Sequence, residues 1–374
     1  MRILHVVTLL STDGAYGGPI GVALNQGAEM MKRGHQVTIV AATRGYDVVP
    51  EQLNGVPAKL FPARTLLPGL SFAGMGAPAL LRWFRRNADR FDVVHIHFDR
   101  GLVVLPVAFA ALRRRIPYVL QTHGMVVPSS RALAAPVDAV WTRRILRSAG
   151  AVFYLTPKER EQLITVAGSD LRLLPLRNGV PEYPMAAPSG GLPEVLFAAR
   201  MHPRKRPIAF VEMAKDLLEV GIDARFTLIG RDEGEGPALR AALAGQTRIT
   251  WEGSLPPFSV PQRMGSASVY VLPSVDEPYP MSVLEAMSVG LPVVVSEDCG
   301  LADLVERTDC GIVVEPAVPA LVAAVKTILG DPALARAMSG RARDAVRREL
   351  CMTEVGDRLT ASYADVLGSV RCAS

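Results

Sequence analysis

Pro273-Ser-Val-Asp-Glu-Pro-Tyr-Pro-Met-Ser-Val-Leu-Glu-Ala-Met287 carries two carboxylates, Glu277 and Glu285, eight residues apart, and Gly290-Leu-Pro292 follows it. Tyr279 and Pro280 suit a turn, Pro280 suits a first helical position, and the Gly-x-Pro ends the helix. A helix start offers unpaired backbone N–H groups and the positive end of a dipole, so anions bind there. An ionised carboxylate accepts two hydroxyl hydrogens at once. Carboxylates around a helix start therefore suit a ligand that carries hydroxyls around a phosphate, as a sugar nucleotide does. The same residues on a surface helix with two solvated glutamates read equally well in isolation.

The flanking segments break that tie. Ile249-Thr-Trp-Glu-Gly253, Ala267-Ser-Val-Tyr-Val-Leu-Pro-Ser274 and Leu291-Pro-Val-Val-Val-Ser296 are apolar runs bounded by Gly and Pro, the pattern of buried parallel strands. With the glutamate segment they show a Pro-Ser, a Glu, seven residues, then Glu-Ala-Met and Gly-x-Pro-Val-Val. This resembles the C-terminal half of the retaining glycosyltransferases of family 4, which have the GT-B fold. That resemblance implies an α/β protein of two Rossmann-like, doubly wound parallel-sheet domains facing a cleft.

The whole chain agrees with that size. Its 374 residues suit two α/β domains of roughly 180 residues each. No apolar run reaches the ~18 residues of a membrane span, and Met1-Arg-Ile-Leu-His-Val-Val reads as a strand, not a signal peptide. A cytoplasmic place is expected. Cys299, Cys310, Cys351 and Cys372 have no metal-ligand spacing and read as reduced thiols. Charge is uneven: residues 1–185 carry a net +10 and residues 186–374 a net −5. Arg82, Arg85, Arg86, Arg90, Arg113-Arg-Arg115 and Arg143, Arg144 and Arg147, interleaved with Trp83, Phe84 and Trp141, suggest an anionic membrane surface at the inner face of the cell membrane. Solvated helix faces explain the same pattern. Nucleic acid is disfavoured because no recognised motif accompanies the charge.

Strands are expected at Ile3–Thr8, Gln36–Ala41, Val93–His97, Tyr118–Gln121 and Ala151–Leu155, with helices such as Gly18–Arg33 and Pro78–Ala88 between them. A second alternation runs through Val195–Ala198, Arg225–Ile229, Ile249–Trp251, Val269–Leu272, Pro292–Val295 and Gly311–Val314. Pro and Gly crowd Asn178–Pro193 between the two, as in a linker. The expected domains are residues 1–180, for the acceptor, and 190–352, for the donor. The resemblance implies that the last helix, about 353–374, packs back on the first domain.

Gly14-Ala-Tyr-Gly-Gly18 follows the first strand and suits close backbone approach by a phosphate, which makes Gly17 and Gly18 donor-site candidates. A dinucleotide fingerprint is absent: the spacing is not Gly-x-Gly-x-x-Gly, and Ala41-Ala-Thr43 holds no ribose carboxylate. His123, in Gln121-Thr-His-Gly124, stands at a strand end where it can hydrogen-bond a sugar hydroxyl. His97 ends another strand and Asp99 and Arg100 follow it, and all three are candidates for the acceptor; His95 reads as structural and His35 as a turn residue. Arg200 and Lys205, in Phe197-Ala-Ala-Arg-Met-His-Pro-Arg-Lys-Arg-Pro207, are two cations able to stabilise a departing diphosphate. Arg204 and Arg206 beside them read as solvated. The resemblance implies Arg200 and Lys205 on the diphosphate, backbone N–H groups of Met281 and Ser282 on phosphate, Glu277 on the transferred sugar and Glu285 on the ribose, with His123 in the catalytic cleft. It implies no metal or other cofactor, and a UDP- or GDP-sugar as donor. The loops Gly230–Gly234 and Gly253–Pro256 are where the family contacts the base. One departure stands out: the family has Phe-Gly where this chain has Tyr279-Pro280, and Pro280 has no N–H to offer a sugar.

The resemblance implies retaining transfer of the sugar to an acceptor hydroxyl by front-face attack, in polysaccharide, lipopolysaccharide or glycolipid assembly. The alternatives are a pseudoenzyme that only binds the nucleotide sugar and a sugar-nucleotide epimerase.

Overall fold

A computed structural model describes residues 1–12, 17–69, 71–130, 134–185, 191–256 and 259–373. The chain divides into two compact units, Met1–Gly179 with Met352–Ser374, and Val180–Cys351.

The first unit is built on β1 (Arg2–Ser11), β2 (Gln36–Arg44), β3 (Gln52–Leu53), β4 (Val56–Pro62), a small hairpin of β5 (Arg64–Thr65) and β6 (Met75–Gly76), β7 (Val93–His97), β8 (Tyr118–Gln121), β9 (Ala151–Tyr154) and β10 (Leu173–Pro175). Its sheet runs β10-β9-β8-β7-β1-β2-β4-β3, parallel except for the β3–β4 pair. Successive strand residues point to opposite faces, and both faces are covered. Val94, Ile96, Leu120 and Val152 face α2 (Pro78–Asn87), α3 (Val104–Arg113) and α5 (Arg143–Arg147); α1 (Gly17–Lys32) lies on the other face, and the short α4 (Ala134–Val137) and α6 (Pro157–Ala167) complete the unit. Ile3, Val7, Val93 and Val119 pack under α1 and the C-terminal helix. Burial on both sides explains why these strands read as continuous apolar runs.

Arg82, Arg85 and Arg86 are exposed on α2, but its aromatic residues are not. Leu80 and Phe84, one turn apart, insert into the core, and Trp83 packs against Phe61 and Phe91 under the Lys59 ammonium. Of the three aromatics expected at an interfacial surface, Trp141 alone is exposed, at 39%.

The second unit carries β11 (Glu194–Ala198), β12 (Arg225–Ile229), β13 (Ile249–Trp251), β14 (Val269–Leu272), β15 (Val293–Ser296) and β16 (Gly311–Val314). Helices α7 (Pro207–Glu219), α8 (Gly236–Leu243), α9 (Val260–Met264), α10 (Met281–Val289), α11 (Ala302–Thr308), α12 (Val318–Gly330) and α13 (Pro332–Glu349) connect and cover them. All pairs are parallel, in the order β13-β12-β11-β14-β15-β16. Strand order reverses between β11 and β14. In such sheets ligands bind beyond the carboxyl ends of the strands at that switch point. No single helix among the described residues is long and apolar enough to cross a membrane.

The last helix, α14 (Met352–Ala373), belongs to the first unit. Arg33, at the end of α1, holds it through Asp357 Oδ1 at 2.6 Å and the Thr353 carbonyl at 2.6 Å.

Candidate active site

In the second unit the loop after β11 brings Arg200, Arg204 and Lys205 to the switch point, and the loop after β14 brings Glu277. Val275 N–H donates to the Arg204 carbonyl at 2.9 Å, which laces the two loops together. Lys205 Nζ donates to Glu277 Oε2, and Arg204 Nη2 reaches the same oxygen at 3.4 Å. Burial pushes the Lys205 ammonium below its ordinary value, although Glu277 acts in the opposite direction. Arg200 pairs with Glu233 at 2.6 Å. Both cations expected on a diphosphate are therefore neutralised by carboxylates in the free chain. Arg206 is not the solvated cation that the sequence suggests: it takes the left-handed conformation before α7 and donates to the Pro316 carbonyl at 2.7 Å. Arg204 is likewise half-buried against Glu277.

α10 begins at Met281, and Pro280 is the extended residue before it, not its first residue. No side chain caps this end, so the N–H groups of Met281 and Ser282 keep no intrahelical partner. The Ser282 hydroxyl accepts from Tyr270 Oη at 2.8 Å, which ties the helix start to β14. Glu285 follows one turn later. Burial pushes its carboxyl up to about 8, and burial, with the Glu285 carboxylate adding to it, pushes the Tyr183 phenol up to about 12. Gly230 takes φ +145, and a Cβ there would stand 1.8 Å from the Ala199 carbonyl oxygen. Only glycine lets the loop after β12 pass this close to the loop after β11.

In the first unit His123 occupies a left-handed turn, φ 50, after β8. Glu159, at the start of α6, holds that turn. Its Oε1 accepts from Thr122 Oγ1 and Gly124 N–H, each at 2.5 Å, and its Oε2 accepts from Leu155 N–H at 2.7 Å. Sequence reading passed over Glu159, whose only signal was an acid three residues after the Thr156 cap. It also passed over His5 on β1, a lone histidine in an apolar strand. His5 pairs with His95 in register, and His97 Nδ1 lies 2.8 Å from His123 Nε2. Burial pushes both His5 and His123 down to about 3.

Burial corrects two of the three acceptor candidates, His97 and Asp99, and the third, Arg100, is engaged by Asp138. His97 is fully buried and cannot meet an acceptor. Asp99 is buried too, accepting from Thr8 Oγ1 at 2.6 Å and from Gly101 N–H at 2.5 Å, and so locks its own turn. Arg100 grips Asp138 with two hydrogen bonds, at 2.7 and 2.8 Å. Gly17 is the first residue of α1, and Gly18 has open space around the position of a Cβ. Gly14, Ala15 and Tyr16 of the glycine loop lie outside the described residues, as do residues 186–190 of the linker segment. A cavity of about 530 Å³ opens at the opposite, amino-terminal ends of the second sheet, beside Glu194 and Arg225, away from these groups.

Two Rossmann-type units, one with paired cations, carboxylates and an open helix start at its switch point, define a GT-B glycosyltransferase. The model of glycosyl transferases group 1 matches residues 186–345, and that of the glycosyl transferase 4-like domain matches residues 17–179. The chain belongs to this family of retaining glycosyltransferases, which transfer a sugar from a nucleotide-sugar donor. It is 25% identical over 340 residues to alpha-D-kanosaminyltransferase of Streptomyces kanamyceticus, covering 78% of this chain and 83% of the relative. Similarity to 2-deoxystreptamine glucosyltransferase of the same organism is 28% over 306 residues, 75% of this chain and 79% of that one. Among solved structures, Anabaena HepE in complex with UDP and glucose superposes with a TM-score of 0.77 at 19% identity, over 97% of this chain and 99% of that one.

Proposed function

We propose that the second unit binds a uridine-diphosphate sugar without a divalent metal, and that the sugar passes with retention to a hydroxyl of a saccharide or lipid-linked saccharide. The observation that carries the donor site is the pairing of Lys205 with Glu277 and of Arg200 with Glu233 at the switch point, beside an uncapped α10. A diphosphate displaces carboxylates from both cations and occupies the N–H groups of Met281 and Ser282. Glu277 is then released to accept hydroxyl hydrogens of the sugar, while Glu285 accepts those of the ribose. In the first unit, His123 is read as a hydrogen-bond partner for a sugar hydroxyl.

In the chemical step the bond between the anomeric carbon and the phosphate oxygen breaks as the acceptor oxygen attacks from the same face. The acceptor proton passes to the departing phosphate oxygen. Arg200 and Lys205 stabilise the charge that collects there. Pro280 removes one backbone donor, so the sugar hydroxyl it would hold turns elsewhere or is missing from the sugar. UDP as the nucleotide is supported by the fold-level likeness to the HepE complex.

The acceptor side is read from the surface of the first unit. Exposed Arg82, Arg85, Arg86, Arg143 and Arg144 with exposed Val140 and Trp141 suit an anionic membrane, and hence a lipid-linked acceptor at the inner face of the cell membrane. Cosedimentation with vesicles of anionic lipid tests this; retention by a variant with Arg82, Arg85 and Arg86 reversed and Trp141→Ser would remove this surface from the proposal.

Calorimetric titration with UDP, GDP and ADP in EDTA tests the donor site. Binding of UDP that weakens in Glu285→Ala supports it. Binding of none of the three, or binding that needs added metal, sinks it.

A further inference from the structure

His5, His97 and His123 stand in one line. His5 Nδ1 lies 3.1 Å from His97 Nε2, and His97 Nδ1 lies 2.8 Å from His123 Nε2. The ring centroids are 5.4 and 5.0 Å apart, as far as two ring radii plus the gap between the nitrogens, so the rings meet edge to edge. His97 and His123 are also within 6° of parallel. Each contact is thus an in-line N–H···N hydrogen bond. His5 and His97 are fully buried, and burial holds all three rings neutral near pH 7.

A neutral imidazole has one N–H and one bare nitrogen. Proton order along such a chain runs in one of two directions. In the first, each Nδ1–H donates toward His123, and the bare nitrogen left over is His5 Nε2. In the second, each Nε2–H donates toward His5, and the stranded group is an N–H at His5 Nε2. That atom is buried and has no hydrogen-bond partner among the described residues. A buried N–H without an acceptor is rarer than an unsatisfied acceptor, so the first order wins.

We infer that His5 and His97 are positioning residues that fix His123 as the Nδ1–H tautomer, so that His123 offers its ligand a hydrogen-bond donor and never a base. Its Nε2 is occupied by His97, and its Nδ1 has no protein partner among the described residues. The ligand atom it recognises is an oxygen acting as acceptor. A sugar hydroxyl held this way keeps its own hydrogen free for a carboxylate. The inference rests on the reading of His123 as a sugar contact, but its central claim is a property of the ligand-free protein.

A metal site is the competing use of the same residues, since ligand atoms of His5, His95 and His97 lie within 4.8 Å of one another. Ring geometry opposes it. His95 and His97 are parallel within 3° and share no hydrogen bond, so their lone pairs do not converge on one point, and His95 Nδ1 is already taken by Tyr363 Oη at 2.7 Å.

The test is two-bond ¹H–¹⁵N correlation of the histidine rings in the full chain, labelled at histidine, at pH 7.5 with and without added Zn²⁺. His5, His97 and His123 should all report as Nδ1–H. His123 as Nε2–H, an averaged mixture, or a charged ring overturns the inference, and so does stoichiometric Zn²⁺ retained after dialysis with loss of the His5 and His97 signals. His5→Phe should let His123 leave the Nδ1–H form and lower kcat for UDP-sugar hydrolysis about fivefold to tenfold, the worth of one hydrogen bond, with UDP affinity unchanged. His5→Asn, whose amide can donate to His97 Nε2, should restore both; equal loss in the two variants overturns the relay. If His5→Phe fails to fold, the wild-type tautomers decide alone. Failure of UDP binding with the expected tautomers would instead fault the donor reading and leave the chain intact.

Discussion

Lys205 and Glu277 form an ion pair in which each side chain keeps only about a tenth of its surface in solvent, 10% and 9%. Two charges so withdrawn from water depend on each other. Lys205→Met leaves Glu277 buried without its main partner, and a loss of about 3–5 kcal/mol in urea unfolding is expected, the usual range for one half of a buried pair. Glu277→Gln keeps a hydrogen-bonding group and should cost less. The two variants should also separate in function. Lys205→Met weakens UDP binding, whereas Glu277→Gln leaves it within a few-fold and lowers kcat roughly 100-fold, as loss of a transition-state contact does. Equal effects of both on UDP affinity would show that the pair acts only as scaffold.

Glu285 sets a pH dependence of its own. Its folded value, about 8, lies above its ordinary 4.5. The folded protein therefore holds this proton when the unfolded chain has lost it. The resulting stability is complete below pH 4.5 and is lost as pH rises to about 8. Glu285→Gln should gain stability relative to wild type between pH 5 and 9. Ribose hydroxyls bind best to the ionised carboxylate, so UDP binding at pH 7 should release protons. Titrations in two buffers of different ionisation enthalpy read that release; a release unchanged in Glu285→Gln would assign it to another group.

The histidines of the first unit act in the opposite sense. His5 and His123 fall to about 3 and His95 well below its ordinary 6.5, all by burial first. Unfolding exposes rings that take up protons, so their stability is complete above pH 6.5 and is lost as pH falls toward the folded values. Each proton contributes about 1.4 kcal/mol per pH unit inside that window. His95→Phe should reduce the slope of unfolding free energy against pH between 6 and 4.5 by about that amount. An unchanged slope would mean that His95 is already charged in the folded protein.

Much of this was legible in advance, and the failures have physical causes. Buried parallel strands are apolar on both faces, so Val93–His97, Arg225–Ile229 and Val269–Leu272 stand out with their observed bounds. β4 hid because prolines at 57 and 62 and Lys59 suit an edge, not a central strand. The loops carrying Arg200, Lys205 and Glu277 stood out through their resemblance to family motifs. The partners Glu233 and Glu159, and the alignment of His5 with His97, depend on which strands lie side by side, and spacing along one strand carries no trace of that. The same blindness put the buried His97 and Asp99 on an acceptor: residues at or just past a strand end point inward or outward according to packing that spacing does not reveal.

Two glycines make opposite demands. At Gly230 the backbone is left-handed and a Cβ would collide with the Ala199 carbonyl oxygen at 1.8 Å. Since that neighbour is backbone, relief requires moving the loop that carries Arg200. Gly230→Ala should lose about 2–4 kcal/mol, the range for strain that nothing nearby can absorb, and should weaken UDP binding with it. Gly18 has nothing within 4 Å of its Cβ position and lies in the first turn of α1. Gly18→Ala should therefore be neutral or stabilising by up to about 1 kcal/mol. If the backbone at Gly18 approaches a substrate closely, the added methyl will lower transfer activity while thermal stability rises. Loss of activity and stability together would mean that Gly18 is needed by the fold alone, and unchanged activity would remove it from the donor site.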